Sequence, residues 1–461
     1  MNELTNFFDD DNIESNEKET TSMIREYPIS NVARSEWLDF AMYTVESRAI
    51  PNMIDGMKPV QRFYVYSSIK NSKTDFKKVS AVSGVVSDYG YNHGEGSAAG
   101  AGQLMAAEWS NNICLVEGRG SFGTRLVQSA AAARYTYTRL HKNFSKYIKD
   151  IDLAPIHEDP EHEPPRFYVP VIPLVLTNGV KGIATGFATN IIPRDPLSII
   201  ASCKEYLSKG KISKIPAVKF PDFKGTVTQG EEPNKYNVGG IYQKKGKTQL
   251  TITEVPYGFD REGYIKVLDR LEDDGDIVGY DDLCDKSGFC FEVKLKLNTS
   301  ATWNDTKIIH KFKLNKAISE NLTVIDHEGK LREYKDPREL IGDFCDYRLS
   351  VLQARIDLQV KNISEKFRWL NVKMNFIQAV LDDKIVFKNK KKKQIVDQMV
   401  AADIQIINDD SDRLLRINIM SLTDEMVKAL AKEIKDAQKE LKFWKTTTPA
   451  KQFVTDIEEI S

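Results

Sequence analysis

A-A-A-R-Y-T-Y-T-R (residues 131–139) sets a tyrosine beside an arginine shortly after the glycine-punctuated run G-R-G-S-F-G (118–123). A phenol has a pKa of about 10 in water, so a tyrosine attacks a phosphodiester only where cations or a metal favour phenolate and offset charge on phosphorus. Arg134 is placed to be one such cation, and Tyr135 to be the nucleophile. Tyr137 is the competing phenol two residues on. Taken alone, the pattern equally describes a packed ring with a solvated neighbour, so the rest of the chain decides its reading.

At 461 residues, 41% hydrophobic and 28% charged, the chain is long enough for two to four domains with sizeable cores. It contains no apolar run of the roughly 18 residues that a membrane span needs, and its N-terminus is acidic where a secretory signal would be basic and then apolar. A cytoplasmic protein without membrane partners is expected. The five cysteines are odd in number and scattered, which fits reduced thiols. His157 and His162, in H-E-D-P-E-H, read as a solvated loop rather than metal ligands. A net charge of −1 conceals an uneven distribution: residues 1–35 carry eight acidic and three basic side chains, residues 36–150 ten acidic and fourteen basic. The tyrosine segment is therefore locally basic, as suits a polyanion.

The composition of residues 1–34 predicts an acidic mobile tail. From Ser35 a helix through Trp37, Leu38, Ala41, Met42 and Val45 runs to Arg48-Ala49-Ile50-Pro51, where the proline ends it. Two short helices, about 79–87 and 97–109, flank the turn N-H-G-E-G (92–96), the layout of a helix-turn-helix. Between about 170 and 335, β-branched runs separated by Gly, Pro and Asn predict mixed α/β structure. G-I-Y-Q-K-K-G-K-T (240–248) has one residue too many between its glycines for a phosphate-binding loop and reads as a hairpin turn. Apolar residues at steps of three or four from Leu349 to Leu381, and again from Val427 to Trp444, predict two long helices pairing antiparallel around a small globular tip. The tip carries the basic run K-N-K-K-K-K (388–393), whose ordinary reading is a solvated loop.

The ordered set R-A-I-P-N-M-I-D-G-M-K-P-V-Q-R (48–62), H-G-E (93–95), G-R-G-S-F-G (118–123), A-A-A-A-R-Y-T (130–136), N-G-V-K-G-I-A-T-G (178–186) and I-T-E-V-P-Y (252–257) resembles the breakage-and-reunion region of type IIA DNA topoisomerases, and most of all their phage branch. The resemblance runs from about Ser35 to the C-terminus. It implies an α+β multidomain fold: a helix-turn-helix or winged-helix DNA-cleavage domain over 35–165, an α/β tower over 166–338, and a coiled coil with a dimerising C-gate tip over 339–461. The function implied is an isomerase subunit that makes transient double-strand breaks through 5′-phosphotyrosyl links, for ATP-dependent relaxation and decatenation.

By the same resemblance Tyr135 is the nucleophile and Arg134 and Arg48 its cations. Lys58, Arg62, Lys78 and His93 would hold the DNA backbone, and Ile183 would wedge between base steps, against its plain reading as a core residue. Gln61, Phe63, Tyr91 and Asn92 depart from the commoner bacterial pattern. Neither ATPase glycine motifs nor a D-x-D strand with a partner glutamate is evident. Asp9-Asp10-Asp11 and Asp409-Asp410-Ser411-Asp412 read as polar loops. Magnesium and ATP are therefore expected on separate partner subunits, the chain itself binding no metal and acting as a dimer on duplex DNA. Only seventeen residues follow Trp444, too few for a DNA-wrapping propeller, which implies no introduction of negative supercoils. A tyrosine recombinase or nickase is disfavoured by the early position of Tyr135. The other alternative is a non-enzymatic coiled-coil DNA clamp.

Overall fold

The computed structural model describes residues 29–34, 36–246, 248–297, 303–404, 411–418 and 423–460. Helices α1 (Ile29–Arg34) and α2 (Glu36–Thr44) lead into a π-helical turn, Val45–Ala49. Pro51 stops this run, because the residue before a proline is pushed out of the helical region, and Ile50 is extended at φ −92°, ψ 129°. Helix α1 corrects the expected tail, whose last residues are helical; residues 1–28, with Asp9–Asp11, lie outside the described residues.

The D-G-M-K-P motif opens α3 (Pro59–Asn71), with proline in its first turn and the Gln61 carboxamide accepting from the Lys58 N–H at 2.9 Å. Strand β1 (Lys77–Lys78) and α4 (Val79–Gly84) follow. Helix α5 (Glu95–Met105) starts on Gly94 and ends before Trp109, so the expected helix pair is present but shorter. A Cβ on Gly102 would meet the Tyr64 ring at 2.2 Å, which is why α5 lies so close on α3. Strands β2 (Val116–Arg119) and β3 (Tyr137–Leu140) complete an antiparallel sheet of order β1-β3-β2. After α6 (Phe144–Tyr147) and α7 (Leu174–Asn178) comes the hairpin β4 (Val180–Ile183) and β5 (Ala188–Ile191), then α8 (Pro196–Lys209).

Next come β6 (Thr226–Gln229), β7 (Lys235–Gly239), β8 (Ile241–Lys245), β9 (Gln249–Glu254) and α9 (Arg261–Asp273). Strands β10 (Ile277–Asp282) and β11 (Phe291–Leu295), α10 (Asp305–Lys311) and β12 (Asn315–Ser319) close this mixed region. Sheets of order β10-β11-β9-β8 and β12-β7-β6 result, the first packed on α9 through Leu250, Ile252, Tyr264, Leu268 and Phe291. The glycine-bearing run 240–248 is indeed the β8–β9 hairpin; Lys247 lies outside the described residues. Strands β13 (Leu322–Ile325) and β14 (Leu331–Tyr334) pair and lead to α11 (Pro337–Leu381), a single helix of 45 residues capped by Asp336.

Beyond α11 lie α12 (Lys392–Ala401), α13 (Ser411–Leu415), α14 (Asp424–Thr446) and α15 (Pro449–Glu458). Ser411 and Asp412, expected in a polar loop, open α13; Asp409 and Asp410 are outside the described residues. Helix α14 returns along α11, and Leu370, Phe376, Ile377, Ile395, Met399, Leu414, Leu430 and Ala437 form a core at that end. Helix α15 docks at the start of α11, burying Phe453 and Ile457 in the main core. There Arg348 pairs with Asp150 and, at 3.0 Å, with Asp456; Arg355 reaches Asp456 at 2.8 Å and Lys149 reaches it at 2.9 Å. Burial alone would raise the Asp456 carboxyl, but the surrounding cations hold it below its usual value. This cluster ties the tyrosine-bearing region, the long helix and the last helix into one junction.

Candidate active site

Tyr135 stands on a turn between β2 and β3 whose main chain is held at nearly every residue. Its N–H donates to the Ala132 carbonyl at 2.8 Å, while the carbonyls of Thr136 and Ala133 accept from Val79 (2.9 Å) and Ser80 (3.2 Å) of α4. The Ala131 N–H donates to the Ser121 carbonyl at 3.0 Å, joining the turn to G-R-G-S-F-G. From α5, Gln103 Nε2 donates both to the Ala131 carbonyl at 2.7 Å and to Thr136 Oγ1 at 3.2 Å. Thr136 is fully buried, yet the Tyr135 ring beside it is 65% exposed. The Arg134 guanidinium lies over that ring, 4.8 Å from its centroid. A fixed backbone thus presents a free phenol with a cation against its face. Tyr137 differs: it sits in β3, paired with Lys78 on one side and Arg119 on the other.

Arg48 is exposed on the π-helical turn. It approaches Tyr91, whose phenol is pushed up by burial and partly offset by the Arg48 charge. His93 is also exposed, within 2.6 Å of the Tyr43 hydroxyl and edge-on to the Tyr91 ring at 5.4 Å. Ile183 is 82% exposed at the end of β4, which excludes the core reading. Its hairpin presses on the Arg48 turn at the neighbouring residue: a Cβ on Gly182 would sit 2.1 Å from the Ala49 carbonyl. Lys58 Nζ donates to the Lys181 carbonyl of the same hairpin at 2.9 Å, and its burial lowers the ammonium pKa. Arg48, His93, Lys58 and Ile183 are therefore brought together on adjoining elements. Lys78 joins the tyrosine turn instead, exposed in β1 at the start of α4.

Arg62 requires a correction. Expected on the DNA backbone, it is buried, with Nε 2.7 Å and Nη2 3.0 Å from Asp55 and Nη2 also 2.6 Å from the Met57 carbonyl. Asp55 further accepts from the N–H of Tyr168 at 3.0 Å and of Met57 at 2.9 Å. Arg62 braces the D-G-M-K-P loop from within, which an Asp and an Arg seven residues apart around a tight turn could have signalled.

The departures from the bacterial pattern also find roles. Gln61 caps α3, while Phe63 and Tyr91 pack together at 5.2 Å in a small core with Val86 and Ala98. His157 and His162 stack at 3.7 Å, and burial beside His157 lowers the His162 pKa. Among the described residues, no three His, Cys, Asp or Glu side chains converge to hold a metal ion.

Sequence reasoning passed over Gln103 and Arg125. Gln103 is the one long polar side chain in a run of Gly, Ala and Ser, a signal in itself. Arg125, just past G-R-G-S-F-G, pairs with Glu254 at 3.1 Å and lies 4.8 Å from the Tyr257 ring centroid. The I-T-E-V-P-Y motif thus grips the tyrosine-bearing region from the neighbouring sheet.

The family profile for the A-subunits of DNA gyrase and topoisomerase IV matches residues 48–459. The chain belongs to this family. It is 42% identical to the DNA topoisomerase medium subunit of Enterobacteria phage T4, over 94% of this chain and 98% of that one. It is 32% identical to DNA topoisomerase 2 of Arabidopsis thaliana over 80% of this chain, but spans only 26% of that protein. The solved DNA-binding, cleavage and re-ligation domain of Plasmodium falciparum topoisomerase II matches with a TM-score of 0.82 at 28% identity, covering 92% of this chain and 63% of that one. The chain thus matches the phage protein almost end to end, and a quarter to a third of the eukaryotic enzymes' length.

Proposed function

We propose that the chain is the DNA cleavage and religation subunit of a type II DNA topoisomerase, with Tyr135 as its nucleophile. The observation that carries this reading is the exposed phenol on an immobilised turn with Arg134 against it, in a chain of this family. Tyr135 Oη loses its proton and forms a bond to a backbone phosphorus; the bond from phosphorus to O3′ breaks, and O3′ leaves as a hydroxyl after taking up a proton. The 5′ end stays joined to tyrosine, so one phosphoester replaces another and the reverse step reseals the strand. Arg134 and Arg48 stabilise charge on the transferring phosphate. Lys58, Lys78 and His93 hold the flanking backbone, while Arg62 acts only by keeping the Lys58 loop in place. Ile183, an apolar side chain standing in solvent, inserts between base steps and bends the duplex.

Two copies related by a dyad cut both strands, and the α11–α14 pair with its tip forms the second dimer contact, the C-gate. The domain division at 35–165, 166–338 and 339–461 belongs to this reading, as does action in the cytoplasm of a phage-infected host. Among the described residues no helix is long and apolar enough to cross a membrane. Magnesium and ATP belong to partner subunits in this reading; magnesium, when bound, activates and orients phosphate oxygens. Trapping with denaturant followed by electrophoresis tests the whole. The reconstituted enzyme should leave protein on both 5′ ends of a double-strand break, and 3′-linked or single-strand adducts would refute it.

A further inference from the structure

The run K-N-K-K-K-K (388–393) takes no part in the chemistry above. It follows α11 and runs into the first turn of α12, and every one of its six side chains is exposed. The turn is nonetheless ordered. Ile385 and Ile395 on either side are buried in the tip core, the Phe387 ring packs edge-on against Phe376 at 6.3 Å, and Asn389 turns the chain at φ 58°.

Among the described residues its electrostatics are unfavourable. Lys391 is the N-cap of α12, with Lys392 and Lys393 beginning its first turn. Cations there oppose the helix dipole and repel one another. Asp412 compensates Lys392 at 2.5 Å, but among the described residues no carboxylate pairs with Lys388, Lys390, Lys391 or Lys393. A locally unfavourable charge cluster held on an ordered turn is the mark of a surface completed from outside.

We infer that this turn is a second contact for duplex DNA, made to phosphates and indifferent to base sequence. Four exposed ammonium groups within six residues, without a carboxylate partner among the described residues, suit a run of phosphates. The choice of DNA among polyanions rests on the cleavage reading. Separation makes the contact distinct, since the 45-residue helix α11 spans about 67 Å. The tip therefore lies far along α11 from the Asp150–Arg348–Asp456 junction, and meets a different stretch of duplex from the one being cut.

A photocrosslinking residue in place of Asn389, in the full chain reconstituted with its partners, reports on this contact. Expected is salt-sensitive crosslinking to a labelled plain duplex. Changing Lys388, Lys390, Lys391 and Lys393 together to Gln should reduce the slope of log crosslinking against log salt by about 3.6. Melting temperature should hold or rise, because the clustered cations oppose the α12 dipole, and the yield of Tyr135 adducts should stay unchanged. Absence of DNA crosslinks, crosslinks indifferent to the four substitutions, or capture only of a protein or of anionic vesicles would overturn the inference. Crosslinks at 389 without any Tyr135 adduct would instead refute the cleavage reading and leave the tip contact standing.

Discussion

Ile183→Ala separates a residue that acts on DNA from one that holds the fold. Truncating a fully buried isoleucine costs about 2–5 kcal/mol. With 82% of Ile183 already in water, the loss should stay below about 1 kcal/mol, a small shift in melting. On DNA the same side chain would move from water into the base stack. Fully burying an isoleucine is worth about 1.5–3 kcal/mol, and most of that surface is available here. Alanine keeps one carbon of it, so bending and cleavage should fall roughly 5- to 20-fold. Energy transfer between dyes on the two ends of a short duplex reads the bend, and adduct yield reads the cleavage. A large drop in melting temperature with bending intact would refute the wedge and leave a structural residue.

Tyr135→Phe should abolish covalent adducts while leaving DNA binding near wild type, whereas Tyr137→Phe should retain them; adducts surviving in the Tyr135 variant would move the nucleophile elsewhere. Gln103→Leu removes both donors from the tyrosine turn, at about 1–3 kcal/mol for the groups left unpaired. Cleavage should slow roughly tenfold at unchanged affinity, with faster amide exchange over residues 131–136. Arg62→Ala strands the buried Asp55 carboxylate and should cost about 3–5 kcal/mol in denaturant unfolding, where an exposed DNA contact would cost almost nothing. The purified chain should bind duplex DNA without cutting it or hydrolysing ATP, and magnesium-dependent cleavage by it alone would reveal a metal site on this chain.

Several elements of the fold were legible because their motifs are local. D-G-M-K-P dictates a turn and a helix start whatever surrounds it, and the seam from Leu349 to Leu381 could only be a long helix. Burial was harder to read. Arg62 and Arg48 bracket one motif and look alike in sequence, yet one is buried on Asp55 and the other stands in solvent, since an arginine's fate depends on whether a carboxylate meets it inside. Ile183 shows the converse. An isoleucine beside a glycine ordinarily reads as core, and only the hairpin resting on the Ala49 carbonyl puts it outside. Gln103 and Arg125 were invisible to motif reading because their partners lie 28 and 129 residues away.

On the proposed reading of Tyr135, the division between held and free groups bears on religation. Religation requires the cut 5′ end to remain where the 3′ hydroxyl can find it, so whatever carries the phosphotyrosine must move as one body. Around Tyr135 the main chain is bonded to α4, to α5 through Gln103 and to the glycine run, while Arg125 ties that run to Glu254 of the neighbouring sheet. The Asp150 and Asp456 cluster extends the tie to α11 and α15. The side chain alone stands in solvent. A covalently attached DNA end would therefore travel with a body reaching from the tyrosine turn to the base of the long helices, and rotation about the tyrosine bonds would be its main remaining local freedom. Opening a gate by moving such bodies apart separates the two broken ends without releasing either, and closing them restores the geometry in which the bond was broken.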